Sequence, residues 1–348
     1  MTAIKSFKGA LRRLAGKTSF TKKGLARYRQ WRGEVSLRDR TLEAKAPVRL
    51  FDLELTNKCP FRCVMCPRTN NMTREQGLMD FDTFKTIVDE YVAANPVAAR
   101  TEVTWLHHFG ESLGHPEFAK FVSYAVSKGL RACLSINPLM LTPAVARDLL
   151  EANPHMLNVA LDGHDDESFY KIRGVKDAYE KSKKNLLEFL KLKVAMGSKT
   201  LIYLGMIDFA MNRESIDRVG KYWKSIPGID DLAAKEFVTW NGDAQDVNRL
   251  TENRVDNAEL RKTHSVVACN VPWEKVCVTW DGEVVPCCYD YDKKYPLGNV
   301  KTQSLAEIWN GERMRQLRQE FIDNDVRNPL CRSCPLLYQT SPSGAEAV

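Results

Sequence analysis

No apolar run in the 348-residue sequence approaches the roughly 20 residues that a membrane-spanning helix needs. A secretory signal is missing too: the N-terminus is basic, but it has neither an uninterrupted apolar core nor a small-residue cleavage site. A cytoplasmic location is therefore expected. Acid is absent from the first 33 residues, which hold ten Lys or Arg. The formal charge of +7 is thus concentrated there, and the rest of the chain is close to neutral and slightly acidic. No recognisable nucleic-acid module surrounds Phe20, Tyr28 or Trp31, so nucleic acid is not an expected partner. No internal repeat is visible beyond alternating strands and helices. An apolar content of 44% and a charged content of 27% are those of an ordinary globular protein.

Within the basic leader (1–47), Ile4, Phe7, Leu11 and Leu14 fall at helical spacing, with Lys5, Lys8, Arg12 and Arg13 between them. This predicts a short basic amphipathic helix. The stripe is short, so the helix is expected to lie on the fold with its basic face in water. The alternative is peripheral contact with a membrane or a partner through residues 1–33.

Ten cysteines in a cytoplasmic chain argue for metal ligation rather than disulfides. Cys59, Cys63 and Cys66 stand at C-x3-C-x2-C spacing in LTNKCPFRCVMCPR, just past the expected strand at Leu50–Leu55. Three thiolates on one loop select zinc or an iron–sulfur cluster. A closed structural site needs a fourth protein ligand, and no Cys or His follows nearby. The site keeps one metal position open, which points to chemistry. A zinc loop lacking a ligand and three unrelated thiols are the plainer alternatives.

The motif resembles that of the radical S-adenosylmethionine (SAM) superfamily. The resemblance implies a [4Fe–4S] cluster held by Cys59, Cys63 and Cys66, with SAM on the fourth iron. It implies one-electron cleavage of SAM to methionine and a 5′-deoxyadenosyl radical that abstracts hydrogen from a C–H bond. The family has a hydrophobic, often aromatic, residue before the third cysteine; Met65 stands there and is assigned to cofactor binding.

Strands expected at Leu50–Leu55, Thr101–Leu106, Arg131–Ile136, Met156–Leu161, Leu201–Ile207 and Ala233–Val238 alternate with helices at Phe81–Ala94, Pro116–Ser127, Pro143–Ala152, Ala178–Ala195 and Glu214–Trp223. Such alternation predicts a parallel α/β sheet. It matches the open partial (βα)6 TIM-type barrel that the resemblance implies over residues 48–240. In such barrels the chemistry sits at the C-terminal strand ends. At the second strand end, Gly110-Glu111 offers close backbone approach and a carboxylate for an ammonium. It resembles the superfamily's GGE motif, which binds the SAM amino group; Phe109 replaces the first glycine. A simple capping loop is the alternative. Ser135 and Asn137 share one face of the third strand and are expected at the ribose or carboxylate of SAM. LDG at 161–163 followed by YKIRG at 170–174 resembles a further run of the same enzymes. It makes Asp162 a candidate SAM contact and Arg173 a candidate substrate anchor. His107, Asp208 and Asp243 complete the expected substrate residues; His107 and His108 cannot both face the barrel on an extended strand.

Residues 241–265 read as a linker and 339–348 as a flexible tail. Between them, 266–338 form a cysteine-rich unit. Asp281-Gly282 predicts a hairpin between Val276–Trp280 and Glu283–Pro286, and Leu305–Phe321 a helix. Cys269, Cys287, Cys331 and Cys334 fit a closed four-ligand site. The unit resembles a shortened SPASM/Twitch-type domain holding one auxiliary [4Fe–4S] cluster, similar to the 2-deoxy-scyllo-inosamine dehydrogenase family; a zinc ribbon is the alternative. Cys133, Cys277 and Cys288 are expected to be buried apolar side chains, with Cys288 pointing away from Cys287 along a strand; one of the three is a possible hydrogen donor.

The expected activity is oxidation of a sugar- or aminocyclitol-like small molecule by a radical SAM oxidoreductase, with two [4Fe–4S] clusters, SAM, and a reductant such as flavodoxin or ferredoxin. Radical epimerisation or decarboxylation of a sugar or nucleoside, and maturation of a ribosomal peptide, are the enzymatic alternatives. A zinc-stapled binding protein is the non-enzymatic one.

Overall fold

The computed structural model describes residues 40–251, 259, 262 and 267–338. The amphipathic helix expected at Ile4–Leu14, much of the expected linker and the tail at 339–348 lie outside them. Six strands, β1 (Leu50–Leu53), β2 (Val103–Trp105), β3 (Arg131–Ile136), β4 (Met156–Ala160), β5 (Leu201–Asp208) and β6 (Asp231–Glu236), pair in parallel, each with the next. Helices α1 (Phe81–Ala94), α2 (Phe118–Ser127), α3 (Pro143–Ala152), α4 (Asp166–Arg173), α5 (Tyr179–Ala195) and α6 (Arg213–Lys224) connect them. The fold is the expected α/β partial barrel.

Sequence pattern accounts for these elements. In α1, Phe84, Ile87, Val88 and Tyr91 recur at helical spacing and all are buried, while Asp80 caps the first turn by accepting from Thr83 N at 2.8 Å. Strand β3 separates its two faces. Ala132, Leu134 and Ile136 join the main core under the helices. Cys133 instead joins Trp105 and Met156 in a small cluster on the lumen side, flanked by Phe51, Val103, Leu201 and Tyr203.

Three local expectations need correction. The sixth strand begins two residues earlier than expected. Asp230 pins its start: its backbone N–H donates to the Ile202 carbonyl, its carboxylate accepts from Ile202 N at 2.7 Å, and Lys193 pairs with it at 3.0 Å. The helix expected at Leu305–Phe321 is two helices, α7 (Leu305–Trp309) and α8 (Glu312–Ile322). Asn310 breaks it, because its Oδ1 accepts from Ala44 N and from Arg318. Finally, α4 was not expected as a helix.

The hairpin forms as expected, from β7 (Val276–Val278) and β8 (Glu283–Val285), followed by β9 (Gly298–Asn299). Strand β7 also pairs in parallel with β1, placing Asp52 beside Cys277 and Leu53 beside Val278. The sheet is therefore continuous across nine strands, in the order β6-β5-β4-β3-β2-β1-β7-β8-β9. Glu54 locks this seam. It is fully buried, accepts two bonds from the Arg74 guanidinium at 2.6 and 2.7 Å, and also accepts from Phe109 N and Trp280 N. A bidentate, fully satisfied pair of this kind offsets the desolvation of both charges. Among the described residues, no helix is long and apolar enough to cross a membrane.

Candidate active site

Cys59, Cys63 and Cys66 lie on the loop after β1, and Cys63 is within electrostatic reach of both others. The loop is folded on itself: Cys66 N donates to the Cys63 carbonyl at 3.2 Å, and the Thr69 hydroxyl donates to that carbonyl at 2.9 Å. Helix α4 holds it from the side. Arg62 N and Val64 N donate to the carbonyls of Arg173 and Ile172, the last residues of α4. None of the three cysteines is in a disulfide. Burial pushes the Cys59 and Cys66 thiols up to about 12, so losing their protons requires the compensation that a bound metal gives.

The acidic side of the site is built on the turn after β2. Gly110 has φ +98°, and a Cβ there would collide with the Thr56 carbonyl and meet Asn57 Cα at 2.7 Å. Only glycine allows this turn to lie so close to the cysteine loop. Glu111 is buried; its carboxylate accepts from Asn137 N at 2.9 Å and Leu113 N at 3.3 Å. Burial pushes its carboxyl up to about 7. Glu111 and Cys59 interact electrostatically, so thiol loop and carboxylate face one space. Thiols, glycine cradle and carboxylate together fit a SAM-bound cluster.

Asn137 also caps the following turn, accepting from Leu139 N at 3.0 Å. Ser135 accepts from Asn158 Nδ2 at 2.9 Å. Asp162 is enclosed by protein: it pairs with Arg173 and accepts from Ile207 N at 2.7 Å and Asn212 Nδ2 at 2.6 Å. Arg173 also donates to Cys63 Sγ at 3.5 Å. Burial works against its guanidinium, but Asp162 and Cys63 hold the pKa above its ordinary value.

The other residues singled out in the sequence separate in space. The His107 ring faces the lumen, with Nδ1 buried and unpaired. His108 turns to the seam, its Nε2 3.1 Å from the Cys288 carbonyl. Asp208 is exposed and pairs with Arg213. Asp243 accepts from the Tyr291 hydroxyl at 2.7 Å and pairs with Lys294. Sequence reasoning missed Trp105, Asn158 and Lys235, which also face the lumen. The signal was small: Lys235 stands between Ala234 and Glu236 on β6, the edge strand of the sheet, where a charged side chain ordinarily meets water.

The second thiol group is assembled from distant segments. Cys269, Cys287, Cys331 and Cys334 interact electrostatically with one another. Asn328 positions Cys331 by accepting from its N–H at 2.9 Å, and Tyr289 N donates to Cys287 Sγ at 3.4 Å. Cys287 and Cys288 lie past the end of β8 in a turn, so strand alternation does not separate them; their thiols contact each other. Trp240 connects the two thiol groups. Its Nε1 donates to the Met65 carbonyl at 3.0 Å, and its ring lies 5.9 Å from that of Tyr289.

Residues 53–216 match the radical SAM superfamily, and residues 269–335 match SPASM, an iron–sulfur cluster-binding domain. The chain belongs to the radical SAM superfamily and is a radical SAM enzyme with a SPASM domain, using SAM and iron–sulfur chemistry. Among its relatives, the tungsten-containing aldehyde ferredoxin oxidoreductase cofactor-modifying protein of Pyrococcus furiosus is 26% identical, over 82% of this chain and 86% of that one. The SAM-dependent 2-deoxy-scyllo-inosamine dehydrogenase of Niallia circulans is 22% identical, over 82% and 92%. The fold is similar to that of BtrN in complex with AdoMet and 2-DOIA, with TM-score 0.52, 18% identity and coverage of 85% of this chain and 99% of that one. It is also similar to Streptococcus suis SuiB bound to its precursor peptide, with TM-score 0.62, 13% identity and coverage of 88% and 73%.

Proposed function

We propose that the protein oxidises a hydroxylated carbon of a sugar- or cyclitol-like small molecule. Cys59, Cys63 and Cys66 would hold a [4Fe–4S] cluster, which with SAM would supply the radical chemistry that removes one hydrogen atom from that carbon. Glu111 holds the SAM amino group, and the Gly110 backbone leaves room for it. Ser135 and Asn137 border the same space. Arg173 hydrogen-bonds Cys63 and keeps Asp162 paired, which stabilises a thiolate there. Two-electron oxidation requires the substrate radical to lose a proton and a second electron. Cys269, Cys287, Cys331 and Cys334 would hold a second [4Fe–4S] cluster, which would supply an acceptor for that electron. The observation that carries this reading is the Met65–Trp240–Tyr289–Cys287 connection between the two thiol groups. A flavodoxin- or ferredoxin-like donor supplies the first electron, and the protein works in the cytoplasm.

One lumen feature favours a second reading. Cys133 lies buried on the lumen floor, where a thiol is placed to return a hydrogen atom in an epimerisation.

Anaerobic reconstitution tests the proposal. About eight iron atoms per chain are expected, four per cluster, with C331A/C334A retaining about half. Incubation with deuterated sugars and cyclitols should move deuterium into 5′-deoxyadenosine and give a product two hydrogens lighter. Bound zinc with no 5′-deoxyadenosine would sink the proposal; a product in which one solvent hydrogen replaces the transferred deuterium, with no net loss of hydrogen, would replace it with epimerisation.

A further inference from the structure

The lumen above the Trp105–Cys133–Met156 floor contains polar atoms with no hydrogen-bond partner among the described residues. Asn158 on β4 uses its Nδ2 on Ser135, while its Oδ1 is buried and unpaired. Trp105 Nε1 and His107 Nδ1, contributed by β2 and the residues just after it, are also buried and unpaired. From β6, Lys235 leans inward over Gly205 of β5. A Cβ at Gly205 would meet Asn158 Oδ1 at 2.5 Å and Lys235 Cε at 3.3 Å. The missing side chain is what lets the amide and the lysine share one space.

The Lys235 ammonium makes no hydrogen bond or ion pair among the described residues. Asp162 is the carboxylate within electrostatic reach, but Arg173, Ile207 N and Asn212 already occupy it. Lys235 is half-buried, and a charge partly withdrawn from water is ordinarily paired. A cation held beside unpaired acceptors and donors describes a site whose remaining partner is a ligand.

We propose that this lumen binds an anionic oxygen group, a carboxylate or a phosphate, on a small hydroxylated substrate. Lys235 is the charge partner, and Asn158, His107 and Trp105 bond the neighbouring hydroxyl groups. The proposal rests on the functional reading above, in which the lumen holds the substrate. It also narrows that reading: an amine-bearing ring would set ammonium against ammonium at Lys235, whereas an acid or phosphate ester neutralises it. Burial lowers the Lys235 pKa to about 8, which leaves it mostly protonated at neutral pH.

Calorimetry on the full, anaerobically reconstituted protein with SAM and no reductant tests this. The probes are D-gluconate, D-glucose 6-phosphate, D-glucose and D-glucosamine. At least one anionic probe should bind, and the neutral and cationic sugars should bind at least about tenfold more weakly. The tighter of the two anions assigns carboxylate or phosphate. K235Q should weaken that binding about 30-fold, as expected when one partner of a buried charge pair is removed. K235R should restore part of it, and K171Q, on the exposed face of α4, should change nothing. Iron content reports whether K235Q folds. If it does not, N158D serves instead, since a carboxylate beside the ammonium should abolish anion binding. Failure of both anions to bind, equal binding of charged and neutral probes, or unchanged affinity in K235Q or N158D overturns the proposal. Binding is measured without turnover, so the two failures differ. A chain that binds the anion but forms no 5′-deoxyadenosine overturns the function alone; one that forms it but ignores the anions overturns the lumen proposal alone.

Discussion

Asp52 shows how a single buried side chain becomes a pH-sensitive part of the fold. It sits on β1 between the lumen and the β7 seam, 3.6 Å from Cys277 Sγ. Burial pushes its carboxyl up to about 8, against the opposing pull of Lys275. The folded state therefore holds this proton more tightly than the unfolded chain, whose Asp titrates near ~4. Its stabilising contribution is complete below the unfolded value and is lost as the pH rises towards 8. The stability difference between wild type and D52N should accordingly fall between pH 5 and pH 8, by at most about 1.4 kcal/mol per pH unit. Thermal melts of both proteins across that range measure it, and parallel pH profiles would refute the assignment. At the same scale, spacing made Cys59, Cys63, Cys66 and Glu111 legible in the sequence. Lys235 was not, because nothing local marks which face of the short edge strand β6 meets a cavity.

Among the elements, α4 does the least obvious work. YKIRG was recognisable as a run of residues; the fold adds that it presents two carbonyls to the cysteine loop and one guanidinium to Cys63. Gly174 ends the helix at φ +74°, and a Cβ there would meet the Arg62 carbonyl at 2.6 Å. Gly197 also has positive φ, at +62°, but nothing lies within 4 Å of its would-be Cβ. G197A should cost about 1 kcal/mol, the backbone penalty alone. G174A should cost about 2–3 kcal/mol and also lower the iron held at the three-cysteine loop. Melting and iron analysis of the two variants separate the effects; equal iron in both would show that α4 does not position the loop. The α7–α8 break belongs to the same scale. Helical periodicity runs through Asn310, and the break falls at Asn310-Gly311, where Gly311 caps α8 and Asn310 accepts from Ala44 N and Arg318.

At the scale of the whole molecule, the C-terminal unit is part of the barrel's own sheet. β7 covers the edge of β1, and the Glu54–Arg74 pair lies against Trp280 at that junction. Deleting residues 266–348 would expose a parallel edge strand and leave Glu54 with one fewer donor. Such a truncation should aggregate or lose its cooperative melt. A melt within about 5 °C of the full chain, followed by circular dichroism, would show the barrel to be independent. By itself the sequence determined what depends on spacing and period: the thiol loop, the strand–helix alternation, the hairpin and the caps, all set by covalent geometry and neighbouring residues. Tertiary structure alone decided that β7 joins β1, that Trp240 links the two thiol groups, and that Lys235 meets Asn158 above a glycine. Those contacts join residues far apart in the chain, and the packing of the whole barrel, which no local pattern encodes, selects them.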